Sequence, residues 1–592
     1  MNRALRHRGP DAEGVWLAPR GDIGLGNRRL KIVDLSPAAA MPMSNEEGTV
    51  WLTFNGEIYN AAGLRAQLQD RYRFRSRSDT EALLHAYEEW GVECLERLRG
   101  MFAFALWDER RQWLFLARDR LGKKPLYYWR QGRRLAFASE IKALWQVPEI
   151  SREPDAAALA DFVRFRYVLG ERSGFRDIRR LPPAHAAIWR EGEWRSWRYW
   201  ELPAPESAAR TDGEWEARIR ELLEESVELR MISDVPVGVM LSGGLDSSLL
   251  AALVARRHAA LKTFTAEFPG AGGLDEGGKA RRLAQALGFE HHSTAILPPT
   301  PDELMELAGI LEEPLADAAA WPTLQVARLA RSQGVPVLLS GEGADEVFWG
   351  YPRYRALELG ERLSGLRWGS AEGGELDRSR WRRYWQRGGL NARNYRALLA
   401  LPDSARRRLY PGLPAGEPPP LPATGGAAQR AAQWDLMHWM PNDLLLKLDK
   451  TTMAASIEGR CPYLDAYLVE SAQRLPAHLK QTWRENKIVL RRLAVRLVPA
   501  DTRAARKQPF RPPFDAWLEP QTPLGGWLPA RLAESELMRQ GLVSGDAIVW
   551  LRRQAEAGAV ASKQHLWTLA SLLAWHEAAR QLAPVPAPTA AG

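Results

Sequence analysis

Cysteine is nearly missing: Cys94 and Cys461 are the only two among 592 residues. So few thiols exclude a disulfide framework and a cysteine-ligated metal cluster, and they suit a reducing compartment. No apolar run approaches the roughly 20 residues that span a bilayer, so membrane insertion is not expected although 45% of the chain is hydrophobic. The opening Met1-Asn2-Arg3-Ala4 lacks a basic-then-apolar leader, which points to the cytoplasm. Blocks of five or six like charges are missing too. The net charge of +9 is spread through mixed stretches such as "DERRQWLFLARDRLGKK" and "ELDRSRWRRYWQRGG", so no clustered cationic face and no nucleic-acid partner is expected. No repeat of solenoid length occurs.

What is present is length, enough for at least two globular units. Up to Tyr199 short apolar runs such as "TVWLTFNGEIY", "MFAFALWD", "QWLFLARD", "PLYYW" and "RLAFASE" alternate with Gly, Pro and charged turns, the texture of a β-rich domain. One helix is expected within "TEALLHAYEEWGVECLERL", where apolar residues recur at helical spacing. The polar, proline-bearing stretch 200–215 reads as a linker. From 216 to 580 the pattern changes to short apolar runs, "VPVGVML", "LKTFTAEF", "HHSTAIL" and "VPVLLS", separated by helical segments, one of them opening at Asp275-Glu276. Such alternation indicates a parallel sheet in a doubly wound α/β unit, since parallel neighbours need crossover connections. From about Arg355 the sequence is mostly helical and rich in Trp and Arg, and 581–592 is a Pro/Ala-rich tail expected to be disordered. The fold class is therefore α/β multidomain, a β-rich front domain followed by a parallel-sheet domain with helical additions.

The strongest local signal is Ser242-Gly243-Gly244-Leu245-Asp246-Ser247-Ser248, between an expected strand and an expected helix. Two glycines allow a tight turn that brings backbone N–H groups to an anion, and the serines add donors at a helix N-terminus, where the macrodipole favours phosphate. Asp246 would repel phosphate unless a divalent cation lies between them. The Lys-Ser/Thr of a Walker A loop is missing. A second loop of this kind, Ser340-Gly341-Glu342-Gly343-Ala344-Asp345-Glu346, follows a later strand. Ligands in open α/β sheets bind beyond the carboxyl ends of strands where their order reverses, so both loops are expected to face one crevice, with Asp246 and Asp345 sharing a metal ion.

Together "VPVGVMLSGGLDSS", "FTAEF", "PVLLSGEGADEVFWGY" and "LDKTTMAASIEGRCPYLD" resemble the glutamine-dependent asparagine synthetases of the ATP pyrophosphatase group. The front half agrees: "LRHRGPDAEGVW", "RRLKIVDLSP", "FNGEIYN", "SDTEALL", "RDRLGKKPLYY" and "FASEIKAL" resemble that family's glutaminase domain, an αββα-type Ntn hydrolase. The resemblance implies that aspartate is activated by ATP as β-aspartyl-AMP, which ammonia from glutamine converts to asparagine. It implies ATP and Mg²⁺ as cofactors and a homodimer as the common assembly. Leu241, Ser242, Gly243, Gly244, Asp246, Ser247 and Ser248 would cradle pyrophosphate, and Ala266, Ser340 and Gly341 would touch the adenosine side. Asp246 and Asp345 would hold the metal, Glu342 would support adenylate formation, and Lys487 in "ENKIVLRRL" would stabilise phosphate charge; its bland reading is a surface lysine on an amphipathic helix. Arg29, Asn55, Gly56, Glu57 and Asp79 would bind glutamine, a guanidinium suiting its carboxylate and an acid its ammonium, with Asn55 and the Gly56 N–H as oxyanion donors.

The family's Met-Cys-Gly-Ile opening, whose cysteine is the glutaminase nucleophile, has no counterpart in "MNRALRHRGPD". Either a longer natural chain carries that cysteine, or the protein uses free ammonia. The first is favoured, because loss of opening strands would expose an unpaired edge and because the glutamine-binding residue types are retained. Cys94 and Cys461 are expected to be structural. Three other readings stand beside the leading one: the same adenylation on a different carboxylate, an RNA-binding relative, and a non-catalytic sensor of glutamine and nucleotide.

Overall fold

The computed structural model describes residues 1–204, 210–259, 261–270, 276–363, 401, 403–415, 419–504, 512–557 and 560–581. Asp275 and all but the first residue of the expected tail 581–592 lie outside these residues.

In the front half the apolar runs become strands. In chain order they are β1 (Ala12–Leu17), β2 (Gly24–Arg29), β3 (Met43–Ser44), β4 (Val50–Ile58), β5 (Gly100–Asp108), β6 (Trp113–Arg118), β7 (Tyr127–Gln131), β8 (Arg134–Ala138), β9 (Arg179–Arg180), β10 (His185–Arg190) and β11 (Glu193–Arg198). A six-stranded antiparallel sheet of order β11-β10-β6-β5-β4-β3 is flanked by a three-stranded sheet, β8-β7-β9, and a ribbon of β1 and β2. All of β5 beyond Gly100 is buried, which explains its unbroken apolar run: both faces of the strand are covered. The expected helix is Asp79–Trp90, started by Ser78, whose hydroxyl accepts the Thr80 N–H. It stops at Gly91, where φ is +58°, so Cys94 opens a separate one-turn helix, Cys94–Arg97. Two further helices in the front half, Ala61–Leu68 and Ala156–Phe165, went unread in the sequence.

The stretch 200–215 is not linker to its end. Thr211 and Glu214 form a reciprocal capping box that starts the helix Asp212–Arg230, and two N-terminal N–H groups are satisfied there at once. Beyond it stand β12 (Val237–Met240), β13 (Lys262–Glu267), β14 (Glu290–Ala295), β15 (Val337–Leu339) and β16 (Glu458–Arg460). All pairings are parallel and the order is β14-β13-β12-β15-β16. Succession runs one way from β12 to β14 and the other way from β15 to β16, so the order reverses between β12 and β15. The long helix Val560–Gln581 packs against Pro301–Leu311. No helix among the described residues is long and apolar enough to cross a membrane.

The two halves meet through a shared apolar core, in which Trp145, Phe162 and Phe175 join Leu304, Leu311 and Trp575, and through buried charge. Asp465 lies 2.9 Å from both Arg99 of the front half and Arg230 of the back half. Arg8 reaches Asp449 at 2.8 Å, and Lys124 reaches the same carboxylate at 3.3 Å.

Candidate active site

At the end of β12 the chain turns through Ser242-Gly243-Gly244 into the helix Leu245–Ala255. Gly243 has φ +75°, and a Cβ there would stand 3.0 Å from the Lys279 side chain, so only glycine makes this turn without strain. The loop ties itself: the Ser242 N–H donates to Ser247 Oγ at 3.1 Å, and the two serine hydroxyls are 3.0 Å apart. Gly244 offers no side-chain cap, which leaves the first N–H groups of this helix without a side-chain acceptor and ready for an anion. Ser248 is fully buried. Ala266 lies two residues past Phe264, whose carbonyl accepts the Leu241 N–H at 2.9 Å, and so reaches the same sheet edge.

The second loop leaves β15, the neighbour of β12. A Cβ on Gly341 would stand 3.4 Å from the Ser247 nitrogen and 3.5 Å from Asp246 Cβ, so the two glycine-acid loops pack backbone to backbone. Their carboxylates share one ammonium: Lys487 Nζ is 2.6 Å from Asp246 Oδ2 and 2.6 Å from Asp345 Oδ1. Lys487 is 3% exposed and precedes the helix Ile488–Leu493 in a left-handed conformation, φ +52°. That removes the surface-lysine reading. Asn486 next to it donates to the Gly350 carbonyl, and Tyr463 donates to the Asp246 carbonyl at 2.9 Å.

A divalent cation fits this pair chemically. Asp246 Oδ1 is buried with no hydrogen-bond partner among the described residues, the hard oxygen such an ion takes. No group of three or more His, Cys, Asp or Glu with metal-site geometry occurs among the described residues, so the protein would supply two carboxylates and leave the rest to phosphate and water, as suits Mg²⁺.

Glu342 lies beside residues the sequence reading missed. Lys447 Nζ is 3.3 Å from Glu342 and 3.0 Å from Asp317. Burial opposes the Lys447 charge, but Asp317, Glu342 and Asp443 outweigh it and raise its pKa. Burial, then Asp317, pushes Asp443 up to about 7; Trp439 donates to it at 2.7 Å. Burial, then Asp345 and Glu342, pushes Glu346 up to about 8, and Tyr351 donates to it at 2.9 Å. No local sequence signal marked Lys447; it lies in the helix Leu444–Ala454, where Leu444 through Met453 are all buried. A lysine buried this deeply is stable as a cation only when paired, as Lys447 is with Asp317 and Glu342.

In the front half, a cavity of about 370 Å³ is lined by all five expected residues, Arg29, Asn55, Gly56, Glu57 and Asp79, and also by Met453 and Glu458 of the back half. Gly56 has φ +147°, and a Cβ there would fall 2.0 Å from the Met101 carbonyl oxygen. Arg29 is held by the carbonyls of Ser36 and Val33, each at 3.2 Å, and by that of Asp34. Asn55 reaches Ser139 Oγ at 3.4 Å. Burial pushes Asp79 up to about 6, although its carboxylate accepts the Ile58 N–H at 2.8 Å. Glu57 is raised well above the usual carboxylate range by burial and by Asp79, and it contacts Arg460 at 3.3 Å. Burial pushes both cysteine thiols up to about 12; neither lines this cavity.

Comparison with known proteins agrees with this division. Residues 218–577 match the family model for asparagine synthase, and residues 1–200 match the glutamine amidotransferase domain. Asparagine synthetase [glutamine-hydrolyzing] 1 of Bacillus subtilis (strain 168) is 33% identical over 595 residues, covering 97% of this chain and 92% of that protein. Asparagine synthetase [glutamine-hydrolyzing] 3 of the same organism is 32% identical, covering 86% of this chain and 83% of that protein. The amidase chry2 of Gibberella zeae is 30% identical, covering 92% of this chain and 88% of that protein. The chain belongs to the asparagine synthase family and carries a glutamine amidotransferase domain ahead of the synthase region.

Proposed function

We propose that this protein is an ATP-dependent carbon–nitrogen ligase that amidates aspartate to asparagine with ammonia, which glutamine bound in the front cavity supplies only where a nucleophile is present, since neither Cys94 nor Cys461 lines that cavity. The observation that carries this reading is the meeting of Asp246 and Asp345 on one lysine, at the point where the strand order reverses. The substrate carboxylate attacks the α-phosphorus of ATP and pyrophosphate leaves; ammonia then attacks the acyl carbon and AMP leaves. The residues from Leu241 to Ser248 offer backbone N–H groups and hydroxyls to the pyrophosphate, and Lys487 supplies a preorganised positive charge in a buried setting, where it counts most. Ala266, Ser340 and Gly341 bound the adenosine side. Asp246 and Asp345 would hold Mg²⁺, whose charge offsets that of the triphosphate and of the departing pyrophosphate. Glu342 supports adenylate formation, oriented by Lys447.

In the front cavity Arg29 faces the glutamine carboxylate, Asp79 and Glu57 its ammonium, and Asn55 with the Gly56 N–H the developing oxyanion. On this reading 1–199 is the glutamine-handling domain and 216–580 the synthetase domain.

A second reading keeps the chemistry and changes the acceptor to another carboxylate; it is favoured by the likeness to the amidase chry2. Incubation with ATP, Mg²⁺, ammonium and aspartate separates the two. AMP release that requires aspartate supports the first; nucleotide binding without aspartate-dependent AMP release supports the second.

A further inference from the structure

The front cavity and the nucleotide crevice share one short strand. Within β16, Glu458 lines the front cavity, while the carbonyl of Arg460 accepts the N–H of Ser340, the first residue of the second loop, at 2.8 Å. The Arg460 side chain turns back the other way and is wholly buried. Its Nη2 contacts Glu57 Oε2 at 3.3 Å and its Nε contacts Glu458 Oε1 at 2.8 Å. Its Nη1 donates to the carbonyls of Arg230 and Ile232 at 2.8 and 2.7 Å. Each nitrogen of the guanidinium therefore has an acceptor, and the geometry is rigid. Glu57 adjoins Gly56 on β4 and forms part of the cavity wall. Gly459 between the two ends is closely packed: a Cβ there would lie 3.1 Å from the Leu448 side chain, which would have to shift by a few tenths of an ångström.

We propose that Arg460 is a positioning residue shared by both sites, its side chain held by Glu57 at the front cavity and its carbonyl fixing Ser340 at the nucleotide crevice, so that an ammonium-bearing ligand in the cavity strengthens nucleotide binding. The inference rests on the functional reading above and goes beyond it by naming the group that couples the two sites.

The electrostatics give the sign. Glu57, Asp79 and Glu458 all line the cavity, and Arg460 is the cation in direct contact with two of them. Burial disfavours the ionised forms of Glu57 and Asp79, each of which also feels another carboxylate. A ligand ammonium adds positive charge, favours ionised Glu57 and strengthens its hold on Arg460. Because β16 and β15 are neighbours in one ladder, a better-fixed Arg460 narrows the positions open to Ser340 and Gly341. The coupling is reciprocal: whatever factor glutamine gives the nucleotide, the nucleotide gives glutamine.

The test is calorimetric binding of a non-hydrolysable ATP analogue with Mg²⁺ to the full chain, with and without saturating glutamine. Wild-type protein should bind the analogue at least about fivefold tighter with glutamine, and glutamine should gain the same factor from the analogue. Arg460→Lys and Glu57→Gln should each reduce that factor below about twofold; Glu57→Gln keeps the side-chain volume and serves if the arginine variant does not fold. A wild-type affinity indifferent to glutamine, or full coupling retained in Glu57→Gln, overturns the inference alone. Failure of wild-type protein to bind the analogue under either condition overturns the functional reading and this inference with it.

Discussion

Gly350 sets how closely Asp345 and Lys487 approach. A Cβ there would fall 1.8 Å from Asp345 Oδ1 and 2.2 Å from Lys487 Cε. Gly350→Ala should therefore displace the pair, lowering AMP formation by at least about tenfold and stability by about 1–3 kcal/mol, as overpacking does; steady-state assay and thermal melting read the two effects. Lys480 makes a separate prediction. Buried beside Trp349, its amine is pushed down by burial to about 7, from an ordinary value of 10.5. Between those two pH values the unfolded chain binds a proton that the folded chain does not, so stability rises with pH across the window. Lys480→Met should abolish that component of the rise in melting temperature between pH 7 and 9, and an unchanged slope would refute the assignment. At this scale the sequence exposed Asp246, Asp345 and Glu342, because glycine-acid loops mark themselves. It did not expose Lys447, Asp317 or Asp443, because a lysine or aspartate reads as solvated until burial is known. The pairing of Glu57 with Arg460 joins residues 403 positions apart, and no local pattern carries such a contact.

Elements behaved as their start and stop signals dictated. The helix Asp212–Arg230 begins at a capping box whose members, Thr211 and Glu214, are exposed. Thr211→Ala should cost about 1 kcal/mol through the lost cap alone, measured by chemical denaturation; a loss much above 2 kcal/mol would mean that Thr211 does more than cap. The parallel sheet was readable from "VPVGVML", "LKTFTAEF" and "VPVLLS", since buried strands are continuous apolar runs, whereas "HHSTAIL" supplies the edge strand β14, in which no residue is fully buried. β16 was not, because it is only three residues long, Glu458-Gly459-Arg460, and carries two charges. The helix Asp79–Trp90 was read correctly but carried too far, since Gly91 ends it.

For the molecule as a whole, the contact between the halves combines a shared apolar core with buried ion pairs, and the ion pairs make it depend on pH. Burial works against the charge on Asp465, but Arg230 and Arg99 overcome it and hold the carboxyl down at about 2, below its ordinary 3.8. A depressed carboxylate contributes stability that is complete above its unfolded value and is lost as pH falls through its folded value. Acidification from about 4 to about 2 should therefore cost about 2 kcal/mol at this junction, and Asp465→Asn should show a flatter acid-denaturation curve over that window. The same architecture sets the central claim, that two glycine-lined loops at the reversal of the sheet form a site that activates a carboxylate with ATP. Aspartate-dependent exchange of labelled pyrophosphate into ATP measures that step without any nitrogen donor. The account predicts exchange by the wild-type chain and its loss in both Asp246→Asn and Asp345→Asn, with folding preserved. Exchange at an undiminished rate in either variant would contradict it.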